Sequence, residues 1–431
     1  MEPPTAVQQL FQLQAVMSER SRWRLRGKQV INIRKKFGNL LARPDQWNKI
    51  MRAAARKKAA SPPSTVSDHL TETRNFGPNP GALRMFSYLP SGMPDQHPLL
   101  VVLHGCTQSA AGYDLGAGWS TLADRFGFAL LLPEQQRSNN PNGCFNWFQS
   151  EDIERGHGES ASIRQMVATM VSDHGIDPAR VFVTGLSAGG AMTSVMLATY
   201  PEVFAGGAII AGLPYGAAAN MQQAFETMYQ CPPRAARAWG ELVRKASRHK
   251  GPWPRVSVWH GGADATVIPP NAAEIIKQWS DVHGLPVQPS FEAMVDGYPR
   301  QVWVNAAGDE LIESYTIPSM AHGTPLATGA ADDQCGATGP FLLEVGISSS
   351  YHIARFFGLA ANRRASESSR KPLRARVPEM LNGAEGAKAS AEPLDGEVLE
   401  PNFRPSAKHP PLDIGAVIAA ALRNAGLLKS G

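Results

Sequence analysis

A strand-like run that breaks at a glycine-flanked serine places the strongest constraint on the fold of this chain. Residues 181–184 read Val-Phe-Val-Thr, and Gly185-Leu-Ser187-Ala-Gly189 follows at once. Residues 191–200 are largely apolar and favour a helix, which Pro201 is expected to end. A serine on such a sharp strand-to-helix turn has strained dihedral angles, and small flanking residues let the backbones pass closely. The pattern predicts a nucleophile elbow with Ser187 at its tip.

The same turn is expected to stabilise a developing oxyanion. The amide of Ala188 and the N-terminus of the following helix face the place where that charge would form. A second amide should come from the loop after an early strand, and His104-Gly-Cys-Thr-Gln108 follows the apolar run at 98–103. We therefore predict an oxyanion hole built from the amides of Ala188 and Cys106. A histidine on this turn more often holds loop geometry than acts as a base, so His104 is interpreted as structural.

Two later loops carry candidates for an acid and a base. With a nucleophile elbow, these groups follow the serine in chain order, each after a later strand. Asp264 lies in the turn after the apolar strand at 256–260, and His322 lies in a Gly/Pro loop after the strand that contains Tyr315. We predict a triad of Ser187, Asp264 and His322. Three other aspartates have ordinary turn or capping explanations: Asp281, Asp296 and Asp309.

Several short motifs occur in a fixed order along the chain. They are His104-Gly-Cys-Thr-Gln108, Cys144-Phe-Asn-Trp-Phe148, Gly185-Leu-Ser-Ala-Gly-Gly-Ala-Met192, His260-Gly-Gly-Ala-Asp264, His322-Gly-Thr-Pro325 and Gly346-Ile-Ser-Ser-Ser-Tyr-His-Ile-Ala-Arg-Phe356. Together they resemble the poly(3-hydroxybutyrate) depolymerase family of serine esterases, which is similar to acetylxylan and feruloyl esterases and has the α/β-hydrolase fold. The resemblance spans about residues 78–358. It implies the same triad, an acyl-enzyme mechanism, and short-chain 3-hydroxyalkanoate esters, as polymer or oligomer, as the substrate class.

Alternative functions follow from the same motifs. A carbohydrate esterase that removes acetyl or feruloyl groups would share the triad and differ only in pocket shape. A protein that binds granules or polyanions, with a vestigial esterase core, is an alternative of another class, and the intact triad order argues against it. Trp147 is predicted to line the acyl or alcohol pocket, with packing in the core as the alternative.

The four cysteines leave the redox state open. The resemblance implies that Cys144 pairs with Cys231 and that Cys106 pairs with Cys335. An even count in an exported esterase would favour disulfides. The amino terminus, however, lacks a basic segment followed by an apolar one, which indicates no standard export signal and allows a cytoplasmic protein with reduced thiols. Since no cysteine spacing matches a zinc site, we predict no metal and no cofactor.

Alternating strand-like and helical segments predict an α/β domain with a mostly parallel central sheet flanked by helices. At 431 residues the chain can hold one large domain with extensions. We divide it into an arm (1–60), a linker (61–77), an esterase domain (78–358), a disordered linker (359–411) and a short C-terminal helix (412–431). No run of about eighteen apolar residues indicates a membrane span.

The positive charge is concentrated in the predicted arm. Between Ser18 and Ala60 there are fourteen basic residues and only two acidic ones, Glu19 and Asp45. The rest of the chain has 28 basic against 35 acidic residues. Apolar residues interleave with the cations, which favours amphipathic helices on an anionic surface such as a membrane, a nucleic acid or a polyester granule. An arm without a dedicated ligand is the alternative. No dedicated nucleic-acid partner is expected, and the expected partner of the domain is an ester substrate.

Overall fold

A ten-stranded sheet forms the centre of the computed structural model, which describes residues 69–93 and 95–360. The strands are β1 (Thr71–Thr73), β2 (Arg84–Tyr88), β3 (His97–Leu103), β4 (Ala129–Glu134), β5 (Ile176–Leu186), β6 (Gly206–Ile210), β7 (Arg255–Gly261), β8 (Phe291–Val295), β9 (Tyr298–Val304), β10 (Glu310–Ile317), β11 (Thr324–Leu326) and β12 (Leu342–Glu344). The order in the large sheet is β1-β2-β4-β3-β5-β6-β7-β10-β9-β8, and β11 pairs with β12 in a small separate sheet.

The centre of the sheet is parallel and its two margins are antiparallel. Strands β4, β3, β5, β6, β7 and β10 run parallel to their neighbours in this block. The pairs β1-β2, β2-β4, β10-β9 and β9-β8 are antiparallel. Every residue of β3 is buried. A parallel strand covered on both faces is apolar in a continuous run, as β3 is over residues 98–103.

Helices cover both faces of this sheet. They are α1 (Ala110–Ala117), α2 (Trp119–Phe126), α3 (Ser150–Ile153), α4 (Gly158–Asp173), α5 (Ala188–Thr199), α6 (Met221–Gln230), α7 (Ala236–Ala246), α8 (Pro270–His283) and α9 (Ser349–Phe356). Two apolar clusters lie on opposite sides. Val101 packs in one with α4, α5, α7 and α8, and its neighbours Leu100 and Val102 pack in the other with α1, α2 and α9. This confirms the α/β architecture predicted from the sequence.

The described domain is slightly longer than the predicted range of 78–358. Residues 71–73, placed in the predicted linker, form β1 against β2, and Phe76 is buried in the core. Leu359, placed in the predicted disordered segment, is also buried. β1 is a short, polar, mostly exposed strand, and no apolar alternation marks it in the sequence.

The predicted arm (1–60) and C-terminal helix (412–431) lie outside the described residues, as do residues 61–68 of the first predicted linker and residues 361–411 of the second. Among the helices that are described, none is long and apolar enough to cross a membrane.

Candidate active site

Ser187 lies at the tip of a sharp turn between β5 and α5. Its backbone has φ 59° and ψ −116°, which is strained for a residue with a side chain, and the residue is half-buried. The close approach of the end of the neighbouring strand β3 explains the glycine at position 189. A Cβ on Gly189 would lie 2.2 Å from the carbonyl oxygen of Leu103 and 2.6 Å from that of His104. The predicted elbow geometry is therefore present, and the loop after β3 packs directly against it.

The two amides predicted to form the oxyanion hole lie on either side of this contact. Ala188 is the first residue of α5, where amides have no acceptor within the helix. Among the hydrogen bonds of the described residues, neither the Ala188 amide nor the Cys106 amide has an acceptor. The neighbouring amides differ, since Gly105 N donates to Gln108 Oε1 (2.8 Å) and Thr107 N donates to Asn142 O (2.8 Å). The amide of Cys106 is thus available to a ligand between two neighbouring amides that are already hydrogen-bonded.

Asp264 and His322 are joined by a buried hydrogen bond. His322 Nδ1 lies 2.7 Å from Asp264 Oδ2, and both residues are buried. The other oxygen, Oδ1, accepts from the backbone amides of Thr266 (2.8 Å) and Val267 (2.9 Å). Burial raises the pKa of Asp264, but the hydrogen bond and charge of His322 outweigh it, so the net pKa lies below the usual value. The carboxylate is therefore ionised and fixed, and it holds the histidine proton on Nδ1.

His260 and Gly261, just before Asp264, hold together the loops that carry Asp264 and His322. His260 Nε2 donates to the carbonyl of Val267 (2.7 Å) and closes the turn around the carboxylate. Burial lowers the pKa of His260 and favours its neutral form. Gly261 lets the loop that carries His322 cross over, because a Cβ there would lie 2.3 Å from the carbonyl oxygen of Met320. His260 belongs to the motif His260-Gly-Gly-Ala-Asp264, which by itself indicates no role for the histidine.

Ser187 and His322 are not hydrogen-bonded to each other in the described chain. Both follow strands of the same parallel block, β5 and β10, whose carboxyl ends meet at one edge of the sheet. Catalytic hydrogen bonds are often long or poorly aligned before substrate binds, so this geometry is compatible with proton transfer between them.

The other aspartates considered for the acid contact other residues. Asp281 lies 2.7 Å from Arg244, and Asp296 lies 2.7 Å from His352. Asp309 accepts a hydrogen bond from Asn305 in the turn between β9 and β10. Of the described aspartates, Asp264 is the one hydrogen-bonded to His322.

The cysteine pairing implied by the resemblance is wrong. The disulfide joins Cys106 to Cys144, whose Cα atoms are 4.3 Å apart on the loops after the neighbouring strands β3 and β4. Cys231 and Cys335 are buried and unpaired. Cys231 ends α6, whereas Cys335 lies 3.4 Å from the hydroxyl of Ser348. Pairing depends on which loops the strand order brings together, and the spacing of cysteines along the chain does not contain that order.

A buried polar network that the sequence analysis missed supports the loop of Cys106. Gln135 N donates to His104 Nε2 (3.1 Å), so His104 carries its proton on Nδ1 and donates it to the carbonyl of Gly105 (2.8 Å). Burial lowers the pKa of His104. This confirms its structural role and excludes proton transfer by this ring in the arrangement described.

Glu159 completes the network from α4. One of its carboxyl oxygens accepts from the Gln135 side chain, and the other accepts from the Asn146 amide (2.9 Å). The Gln135 side chain also donates to the carbonyl of Cys144 (3.0 Å). Burial, with a contribution from the charge of Asp152, raises the pKa of Glu159 to about 8. The available sequence signal was an acidic residue one helical turn before the buried Ile163.

Trp147 lies next to this network. It is 7% exposed, contacts Phe148 edge to face at 5.4 Å, and belongs to the main apolar cluster. Its predicted role in binding substrate remains a prediction. Among the described residues no cluster of His, Cys, Asp or Glu could hold a metal ion.

The fold and this site define a class of protein. A serine on a β5-to-helix elbow, an acid after β7 and a histidine after β10, at one edge of a mostly parallel sheet, are the features of a serine hydrolase with the α/β-hydrolase fold.

Comparison with known proteins gives the family. A family model described as Esterase PHB depolymerase matches residues 83–288. Poly(3-hydroxyalkanoate) depolymerase C of Paucimonas lemoignei is 50% identical over 291 residues, which cover 67% of this chain and 70% of that protein. An acetylxylan esterase of Coprinopsis cinerea is 34% identical over 270 residues, covering 61% and 71%. The solved acetyl xylan esterase from Aspergillus awamori aligns with a TM-score of 0.57 at 27% identity and covers 68% of this chain and 99% of its own. The chain belongs to the PHB depolymerase family of esterases.

Proposed function

We propose that this protein hydrolyses esters of short-chain 3-hydroxyalkanoates, as polymer or oligomer, with Ser187 as nucleophile, His322 as base and Asp264 as the acid that orients it. The hydrogen bond between His322 Nδ1 and Asp264 Oδ2 carries this proposal. Because the proton is held on Nδ1, the lone pair of Nε2 is available to accept the proton of the serine hydroxyl.

The reaction proceeds through an acyl-enzyme. Ser187 Oγ attacks the ester carbonyl carbon while its proton passes to His322 Nε2. The carbon–oxygen ester bond then breaks, and His322 returns the proton to the leaving alkoxide, which departs as the alcohol. Water attacks the acyl group, gives one proton to His322, and the acid is released as that proton returns to Ser187.

The amides of Ala188 and Cys106 stabilise the tetrahedral oxyanion in both steps. Neither has an acceptor among the described residues, so both can donate to the substrate oxygen. A single donor of this kind contributes about 3–4 kcal/mol to the transition state. The disulfide to Cys144 and the hydrogen bond from Thr107 to Asn142 hold the Cys106 loop in place on both sides of that amide.

The substrate class rests on the relatives. The protein with 50% identity is named a poly(3-hydroxyalkanoate) depolymerase, and this supports hydroxyalkanoate esters as the substrate. The relatives named acetylxylan and feruloyl esterases favour a second candidate, the removal of acetyl or feruloyl groups from carbohydrate. Trp147, three residues after the disulfide-bonded Cys144, is the proposed residue of the acyl or alcohol pocket.

A substrate panel separates these two candidates. Amorphous poly(3-hydroxybutyrate), 3-hydroxybutyrate oligomers, and acetylated or feruloylated xylan are each incubated with the wild type and with Ser187→Ala. We expect release of 3-hydroxybutyrate by the wild type alone. Release of acetate or ferulate without any hydroxybutyrate would overturn the proposed substrate class while leaving the esterase mechanism in place.

We also propose that the basic segment of residues 1–60 attaches the enzyme to an anionic surface or a polyester granule. Its excess of basic over acidic residues supports this, although the segment lies outside the described residues. Deletion of residues 1–60 should weaken sedimentation with granules in a salt-sensitive way and leave turnover of a soluble ester unchanged. Equal sedimentation of both proteins would refute it.

A further inference from the structure

A polar cleft of about 430 Å³ opens beside the Cys106 loop, and the proposed catalytic groups do not line it. One wall comes from the loop after β3 and includes Thr107 and Ser109. The facing wall comes from the end of β4 and the loop after it, with Glu134, Arg137 and Gly143. The cleft is therefore formed by the two loops that the disulfide joins.

The cleft lies on the catalytic edge of the sheet. Strand β3 pairs in parallel with β5, which leads to Ser187, and with β4, whose end lines the cleft. Two strand spacings thus separate the loop after β4 from the nucleophile, a distance of about 10 Å. Cys106 precedes Thr107 of the cleft wall, so the cleft adjoins the loop that carries the proposed oxyanion amide.

The charges of the cleft do not cancel. Glu134 is fully engaged, because Oε1 accepts from Arg84 (2.7 Å) and Oε2 accepts from the amide of Ala110 (2.9 Å). Arg84 pairs in addition with Glu72 (3.1 Å). Arg137 differs from Arg84, since in the described part of the chain it contacts only a carbonyl oxygen, that of Pro141, at 3.4 Å. The cation of Arg137 therefore has no carboxylate partner within the described ranges.

We propose that this cleft binds the free carboxylate end of a 3-hydroxyalkanoate oligomer, with Arg137 as the carboxylate-binding residue. The inference rests on the proposed function and narrows it, because it makes oligomers with a free acid end the preferred substrates. A guanidinium presents two parallel N–H donors that match the two oxygens of a carboxylate. Ser109 stands on the facing wall, and its hydroxyl, which accepts from Gly112 N (3.2 Å), can donate to a carboxylate oxygen.

The chemistry of the oligomer gives this site a purpose. Each cut of a 3-hydroxyalkanoate chain leaves a free carboxylate on one end and a hydroxyl on the other, so oligomeric products are anionic whereas the interior of the polymer is neutral. A cation beside the reactive ester lowers KM for the charged oligomers and has no partner on a neutral chain.

The test compares a 3-hydroxybutyrate trimer with its methyl ester, which differs only in the terminal charge. In Arg137→Gln, we expect KM for the acid trimer to rise about tenfold with kcat nearly unchanged, and KM for the methyl ester to stay within about twofold. Arg137→Lys should recover part of the loss. Arg74→Gln, which removes a cation that is 84% exposed and lies outside the cleft, is the matched control and should change neither substrate.

The outcomes separate this inference from the proposed function. If Arg137→Gln changes KM equally for the acid trimer and its methyl ester, or for neither, the carboxylate site is overturned. Hydrolysis of both trimers by the wild type would still uphold the proposed function. Hydrolysis of neither trimer by the wild type, with p-nitrophenyl butyrate still cleaved, would overturn the carboxylate site, and absence of 3-hydroxybutyrate release from amorphous poly(3-hydroxybutyrate) as well would overturn the proposed function. Cleavage of p-nitrophenyl butyrate by Arg137→Gln at the wild-type rate shows that the variant is folded.

Discussion

Replacing Asp264 by asparagine should inactivate the enzyme through the histidine tautomer, because the surroundings of the carboxylate fix the orientation of the new amide. In the protein, Oδ1 accepts from the amides of Thr266 and Val267, and Oδ2 accepts from His322 Nδ1. The asparagine oxygen must face the two backbone donors, since the opposite orientation would set its NH₂ group against both. Each such buried unsatisfied donor costs about 1–3 kcal/mol.

The asparagine NH₂ group then faces the ring of His322. The ring avoids a donor–donor contact by moving its proton from Nδ1 to Nε2, the atom that has to accept the serine proton. A triad with the wrong tautomer loses about 10⁴-fold in kcat, which corresponds to about 5.5 kcal/mol in activation free energy. KM should change little, because neither side chain is proposed to hold the substrate.

The assay is steady-state hydrolysis of p-nitrophenyl butyrate at pH 7.5, with circular dichroism to verify folding. Asp296→Asn is the matched control. Asp296 lies in the turn between β8 and β9, and its carboxylate is also 2.7 Å from a histidine, His352. This variant should keep its activity within about twofold of the wild type. A loss of less than tenfold in Asp264→Asn, with the protein folded, would refute the orientation argument and the role of Asp264.

Two further predictions concern the residues beneath the Cys106 loop. Since the pKa of Glu159 is raised to about 8 from 4.5, the folded state holds a proton that the unfolded state releases. The free energy of unfolding should therefore fall as pH rises from about 4.5 to about 8, by up to about 5 kcal/mol, and level off above that. Glu159→Gln should remove this slope in urea unfolding curves, and an unchanged slope would exclude Glu159 as its source. Reduction of the Cys106–Cys144 disulfide should lower kcat by up to about 10²-fold, because the Cys106 amide is no longer held. The double variant Cys106→Ser, Cys144→Ser should show the same kcat and be insensitive to dithiothreitol; a wild type unaffected by complete reduction would contradict this.

The central fold could be predicted because its strands are buried on both faces. The apolar run at 98–103 lies within β3, and the Val-Phe-Val-Thr run at 181–184 lies within β5. The elbow could be predicted for a similar reason, since the steric demands at Gly189 restrict the sequence locally. The order of serine, acid and histidine then selected Asp264 and His322 as the candidate acid and base, and the fold brings these two residues into hydrogen-bond contact.

Contacts that depend on strand order could not be predicted from the sequence. The disulfide forms because β3 and β4 are neighbours, and residues 106 and 144 follow them. Gln135, in the loop after β4, meets Glu159 of α4, although neither belongs to a motif that we recognised. At the margins of the sheet, β1 is short and polar, and β8 is largely exposed although four of its five residues are apolar, so neither strand shows the alternation of buried apolar and exposed polar residues that marks a strand.

The most direct measurement of the central claim is the mass of the enzyme during turnover. Acid quenching within milliseconds of mixing with p-nitrophenyl butyrate, followed by digestion and mass spectrometry, identifies any acylated residue. We predict a butyryl group on the peptide that contains Ser187 and no acylation of Ser187→Ala, together with a burst of p-nitrophenol if deacylation is the slower step. A burst whose acyl group is found on another residue, or turnover by Ser187→Ala at the wild-type rate, would contradict the account.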